Sequence, residues 1–165
     1  MNIEKIEEKI ISIIDQFECV PIRSKLILVV APHNYGKTKL LKKLSQKTSI
    51  PRINLNLELS KKLIEIPIKR RSSKVHSLVH DIIKEYIENK KSIILDNIEL
   101  LFAVELETDP LRLFESLSHN YKIIVSWPGK FDGKSLIYAE PGHREYRKYT
   151  QLDFTIIDLI NESKG

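Results

Sequence analysis

The stretch from Lys25 to Leu44 constrains the fold more than any other part of the chain. Lys25–Ala31 (K-L-I-L-V-V-A) is short, β-branched and almost wholly apolar, as suits a parallel strand buried on both faces. It runs into A-P-H-N-Y-G-K-T, Ala31 to Thr38, and from Gly36 onward leucines at 40, 41 and 44 form one helical stripe against lysines. A strand that turns tightly into a helix aims the helix's free N–H groups at the turn, where they favour an anion. The turn matches G-x-x-x-x-G-K-[ST] except at its first glycine, which is Ala31. That change is tolerable where Ala31 keeps a negative φ. The backbone of Asn34, Tyr35, Gly36, Lys37 and Thr38, with Lys39 opening the helix, is therefore expected to cradle phosphates. Lys37 is expected to reach the β- and γ-phosphates and the Thr38 hydroxyl to ligate magnesium.

A second segment completes the chemistry. Ser92–Phe102 (S-I-I-L-D-N-I-E-L-L-F) is an apolar strand ending in Asp96, the pattern in which a strand-end carboxylate holds magnesium opposite the phosphate loop. ATP and Mg2+ are the ligands these two segments predict. Hydrolysis also needs a group to orient or deprotonate a water. The residue after Asp96 is Asn97, which can orient a water without taking its proton. Glu99 reads either as the group that acts in its place or as a solvated residue of the following helix. Ser126, at the end of a later strand, is a candidate contact for the γ-phosphate. Slow turnover is the expectation.

Around these segments the chain alternates strand and helix. Ile3–Phe17 repeats isoleucine near the 3.6-residue period, and Pro21 closes that helix. Arg52–Glu58 alternates and predicts a second strand, followed by a short helix over Lys61–Ile66 that Pro67 ends. Ser73–Asn89 predicts a helix with Ser72 or Ser73 as N-cap, and Pro110–Leu117 another with Asp109 as cap. Lys91–Asn97 and Lys122–Trp127 are the third and fourth strands; Ser135–Glu140 and Phe154–Leu159 are further strands around a basic, tyrosine-rich connection. The pattern predicts an α/β three-layer α/β/α sandwich with a mostly parallel sheet and no separate helical lid domain. One domain is expected over 1–165: an N-terminal helix (1–20), a nucleotide-binding core (25–127) and an irregular, β-containing C-terminal segment (128–165).

Composition fits a soluble globular protein, with 42% hydrophobic and 30% charged residues. No apolar run approaches the roughly 20 residues of a membrane span. The single cysteine, Cys19, forms no internal disulfide and is expected to pack as a small side chain, and the 5 histidines lack metal-ligand spacing. These features place the chain in the cytoplasm. Its net charge of +5 concentrates in Lys37–Lys47, Lys69–Lys74 and Arg144–Lys148. Lys69–Lys74 reads as a DNA-contact loop or as a solvated stretch. Arg144 and Arg147 read as arginine fingers across a homo-oligomer interface, as nucleic-acid contacts, or as surface charge.

Taken together, A-P-H-N-Y-G-K-T, R-I-N-L-N-L-E-L-S and I-I-L-D-N-I-E-L-L-F give the chain, over nearly its whole length, a resemblance to a known family. It resembles the BrxF family, the small P-loop proteins of bacterial BREX (bacteriophage exclusion) gene clusters, and more broadly the AAA+ and STAND groupings of P-loop NTPases. Those clusters resist phage infection and mark self DNA by methylation. The resemblance implies phosphate binding at Gly36, Lys37 and Thr38 and magnesium binding at Asp96. It also implies partners: other BREX components, including a methyltransferase and larger ATPase-type proteins. The function expected is an ATP- and magnesium-binding subunit of a defence complex, a weak or partner-dependent ATPase. A nucleotide-stabilised adaptor without hydrolysis, a DNA-binding module and a small-molecule or nucleotide kinase are the alternatives.

Overall fold

Burial dictates the architecture. In the computed structural model, which describes residues 1–164, every residue of β1 (Leu26–Ala31), β3 (Ser92–Asp96) and β4 (Lys122–Pro128) is buried. Strands apolar on both faces need helices on both sides. The sheet order is β2 (Arg52–Asn54), β3, β4, β1, β8 (Thr155–Asp158), and each pairing is parallel. On one face α1 (Ile3–Cys19), α2 (Lys37–Thr48) and α7 (Leu159–Lys164) bury Ile10, Leu41 and Leu159 against Ile27, Val29, Ile94 and Ile124. On the other, α3 (Leu55–Leu63), α5 (Val75–Tyr86) and α6 (Pro110–Leu117) cover Leu28, Val30, Leu95 and Val125. The α/β/α sandwich expected from the alternation is the fold observed, and among the described residues no separate helical lid stands outside it.

The chain between β4 and β8 is more regular than its sequence suggests. It forms a three-stranded antiparallel sheet of β5 (Lys130–Phe131), β6 (Leu136–Tyr138) and β7 (Arg147–Tyr149). Trp127 fastens it to the main sheet. The indole is fully buried, edge-on to Phe102 at 5.2 Å and to Tyr149 at 5.9 Å, and its Nε1 donates to the Ile137 carbonyl at 3.2 Å. Gly129 makes the approach possible, since a Cβ there would lie 2.0 Å from the Ile137 oxygen.

Several expectations need correction. The strand expected over Arg52–Glu58 stops at Asn54, whose side chain accepts from the Leu57 N–H and caps α3. Leu55, Leu59 and Leu63 then recur at the helical i, i+4 spacing and are all buried, so packing selects helix over strand. The short helix expected over Lys61–Ile66 is only the end of α3. The helix expected from Ser73 begins at Val75, after α4 (Ile68–Arg71) and a 3-10 turn over Ser72–Lys74. Neither serine caps it: the Ser73 hydroxyl donates back to the Arg70 carbonyl, and Lys74 stands at the cap position. Cys19 is exposed at the last residue of α1, not packed.

Candidate nucleotide site

The connection leaving β1 passes to the α2 face, whereas those leaving β3 and β4 pass to the opposite face. Adjacent strands β1 and β4 thus diverge at their C-terminal ends, and open parallel sheets bind ligands in the crevice such a divergence creates. Residues 32–36 sit at that crevice. Ala31 is the last residue of β1 and is not among the positive-φ residues, so it meets the condition set by the missing glycine. Asn34 (φ 61°) and Gly36 (φ 92°) take the left-handed turns instead. Left-handed residues alternating with right-handed ones are the backbone pattern that makes anion-binding concavities.

Among the described residues, the N–H groups of Tyr35, Gly36, Lys37, Thr38 and Lys39 have no hydrogen-bond acceptor; the first helical bond runs from Leu40 to the Gly36 carbonyl. The Lys37 ammonium donates to the carbonyls of Ala31 and Pro32, both at 2.7 Å. It is buried, and burial lowers its pKa, opposed by the negative charges of Asp96 and Glu99. Free amides, one desolvated cation and the start of a twelve-residue helix make an electropositive turn that favours an anion. Phosphate fits it.

Asp96 ends β3 on the same face of the sheet as Ser126 of β4, and both side chains are buried. One Asp96 oxygen accepts from the Asn97 N–H at 3.0 Å, and the other accepts from Arg52 Nη1 at 3.1 Å. Asn97 has φ 54°, which turns the chain sharply out of the strand. Glu99 opens a 3-10 turn (Glu99–Phe102) and accepts from Asn56 Nδ2 at 2.7 Å. Asn56 also accepts from the Leu100 N–H at 2.8 Å and donates its own N–H to the Asn97 carbonyl at 2.7 Å. The two residues at the β2–α3 junction, Arg52 and Asn56, therefore hold the two acids of the β3 segment. Pattern reading missed both, because it spent Arg52–Glu58 on a strand. The hydroxyl of Thr38 and the carboxylate of Asp96 are hard oxygen donors that suit magnesium, and no group of three or more metal-binding side chains exists among the described residues.

Arg52 supplies a direct test. Arg52→Ala leaves a buried carboxylate with the Asn97 N–H alone, and the expected loss is about 1–3 kcal/mol of stability. Added magnesium recovers part of it by replacing the missing positive charge. Thermal melting of the variant with and without the metal checks this; a melting temperature indifferent to magnesium contradicts it.

The remaining candidates lie elsewhere. Tyr35 reaches across to Ser163 of α7 at 3.0 Å between hydroxyls, beside a cavity of about 550 Å3 lined by Met1, Asn2, Lys5 and Asn161. Lys39 is exposed on α2. Arg144 is exposed and pairs with Glu105 at 3.3 Å, and Arg147 is tied to the Thr108 carbonyl at 3.1 Å. Lys69, Arg70 and Lys74 are exposed without a carboxylate within 4 Å.

The fold is a three-layer α/β/α sandwich with a mostly parallel sheet, and the β1–α2 turn lies at the C-terminal end of that sheet. No family model and no curated protein matches the chain. Among solved structures it is similar to C. elegans PCH-2, with a TM-score of 0.44 and 16% identity over 79% of this chain and 37% of that one. No helix is long and apolar enough to cross a membrane.

Proposed function

We propose that the chain binds ATP with magnesium at Asn34–Thr38 and Asp96 and hydrolyses it slowly, as a subunit of a bacterial phage-defence complex of the BREX type. The observation that supports the nucleotide reading is the turn itself: five successive N–H groups without acceptors, and a buried ammonium that donates to two carbonyls of the same turn. The triphosphate would draw Lys37 from the Ala31 and Pro32 carbonyls, and Thr38 with Asp96 would hold the metal. Magnesium, once bound, neutralises charge on the β- and γ-phosphates. The cavity beside Tyr35 is large enough for the nucleoside end.

Glu99 is the proposed group for the attacking water, with Asn97 orienting it. Asn56 restrains Glu99, which supports slow turnover from the isolated chain and faster turnover where a partner shifts the β2–α3 junction. The BREX assignment rests on sequence resemblance, and the proposed partners are the methyltransferase and the larger ATPase-type components of such clusters. Asn97 also supports a second reading, an adaptor that binds nucleotide without hydrolysing it. Phosphate release separates the two. A working ATPase loses roughly a hundredfold in rate in Glu99→Gln, within the range for removing a general base, while nucleotide affinity is kept. Release that is absent from wild type, alone and with its partners, supports the adaptor.

A further inference from the structure

The end of the sheet opposite the nucleotide crevice carries its own cluster of charge. Parallel topology brings together the residues that precede three strands: Lys25 before β1, Lys90 and Lys91 before β3, and Lys122 opening β4. They line one cavity of about 400 Å3 together with Asn89 and Asn120. A second cavity, of about 230 Å3, adjoins it and shares Asn89, Lys90 and Lys91. Backbone hydrogen bonds fix the rim. The Lys91 N–H donates to the Glu88 carbonyl at 2.9 Å, and the Lys91 carbonyl accepts from the Lys122 N–H at 2.8 Å.

The charge balance at this rim is positive. Lys122 pairs with Glu18, which also lines the cavity, and its ammonium donates to the Lys90 carbonyl at 3.3 Å. Its side chain is 10% exposed, whereas that of Glu18 is 59% exposed on the last turn of α1. Burial lowers the Lys122 pKa, opposed by the charge of Asp15. Among the described residues, Lys25, Lys90 and Lys91 have no carboxylate within 4 Å. Three lysines without a carboxylate partner beside the paired Lys122 favour an anion in the cavity. The lining identifies which kind. It offers four ammonium groups and two amide donors, and a multiply charged phosphate draws more from such a cluster than a singly charged carboxylate does.

We propose that Lys25, Lys90, Lys91 and Lys122, with Asn89 and Asn120, form a second phosphate-binding site at the opposite end of the sheet from Asn34–Thr38. Its ligand is a phosphate group, carried either by a free phosphorylated compound or by a nucleic-acid strand. The site does not depend on the nucleotide reading. Occupying it would place phosphate on the loops that lead into β3 and β4, the strands ending in Asp96 and Ser126.

Calorimetric titration with inorganic pyrophosphate at low salt tests the proposal, with a short single-stranded oligonucleotide as the second probe. In Lys37→Ala, which disables the first site, at least one of the two probes still binds. Adding Lys90→Glu and Lys91→Glu, both exposed, weakens that binding roughly tenfold or more. Lys122→Met, which keeps the side chain's bulk, weakens it in the same direction. Pyrophosphate binding alone assigns the site to free phosphorylated compounds. Oligonucleotide binding that pyrophosphate competes away assigns it to a strand. If Lys37→Ala binds neither probe, or if the charge reversals leave binding unchanged in a protein that melts normally, the proposal is overturned. Should wild-type protein fail to bind ATP while the Lys90-dependent binding persists, the nucleotide reading falls and this one stands.

Discussion

Trp127→Ala is expected to cost about 3–5 kcal/mol of stability, the range for truncating a buried aromatic residue. In a chain of this size that lowers the melting temperature by roughly 10 °C. The indole fills the seam between the main sheet and the small antiparallel one, with Phe102, Tyr138 and Tyr149 around it. Truncation empties that seam and leaves the Ile137 carbonyl without its donor. Trp127→Phe keeps most of the volume and loses the hydrogen bond, so it should cost well under half as much. Ser126 immediately precedes Trp127 in β4, so loosening the seam also loosens the site. Thermal melting of both variants checks the prediction, and an alanine variant that melts within about two degrees of wild type contradicts it.

The turn between β1 and α2 was legible because all of it is local. A buried strand, a left-handed glycine and a leucine-striped helix are contiguous between Lys25 and Leu44. Asp96 was legible for the same reason, as the acid that ends an apolar run. The β2–α3 junction was not. Ile53, Leu55, Leu57 and Leu59 satisfy strand alternation, while Leu55, Leu59 and Leu63 satisfy helix spacing, and only burial against the sheet decides between them. Asn54 was the signal available, as a side chain fit to cap a helix. Without that junction neither the Arg52–Asp96 pair nor the Asn56–Glu99 bond can be foreseen, since each joins residues over forty positions apart. The lysine cavity is hidden likewise. Lys25, Lys90, Lys91 and Lys122 are scattered in the sequence, and only parallel topology gathers the starts of three strands at one end.

Lys37→Ala is the second substitution with a large expected effect. The ammonium is the one side-chain cation within the turn and sits in the field of Asp96 and Glu99. Removing it takes away a charge-assisted contact worth roughly 1.5–3 kcal/mol in a desolvated site, and withdraws a positive charge that, together with Arg52, offsets Asp96 and Glu99 beside the incoming triphosphate. The repulsion adds to the lost attraction, so affinity should fall by roughly a hundredfold or more. The fold should persist, because the lysine's partners are carbonyls at the edge of the crevice and the core beneath α2 is built by Leu40, Leu41 and Leu44.

Titration calorimetry of ATP with magnesium, on wild type and Lys37→Ala side by side, tests the central claim most directly. Stoichiometric binding to wild type that disappears in Lys37→Ala, with both proteins melting alike, is the result this account predicts. No binding to folded wild-type protein, or binding of equal strength to both, would contradict it.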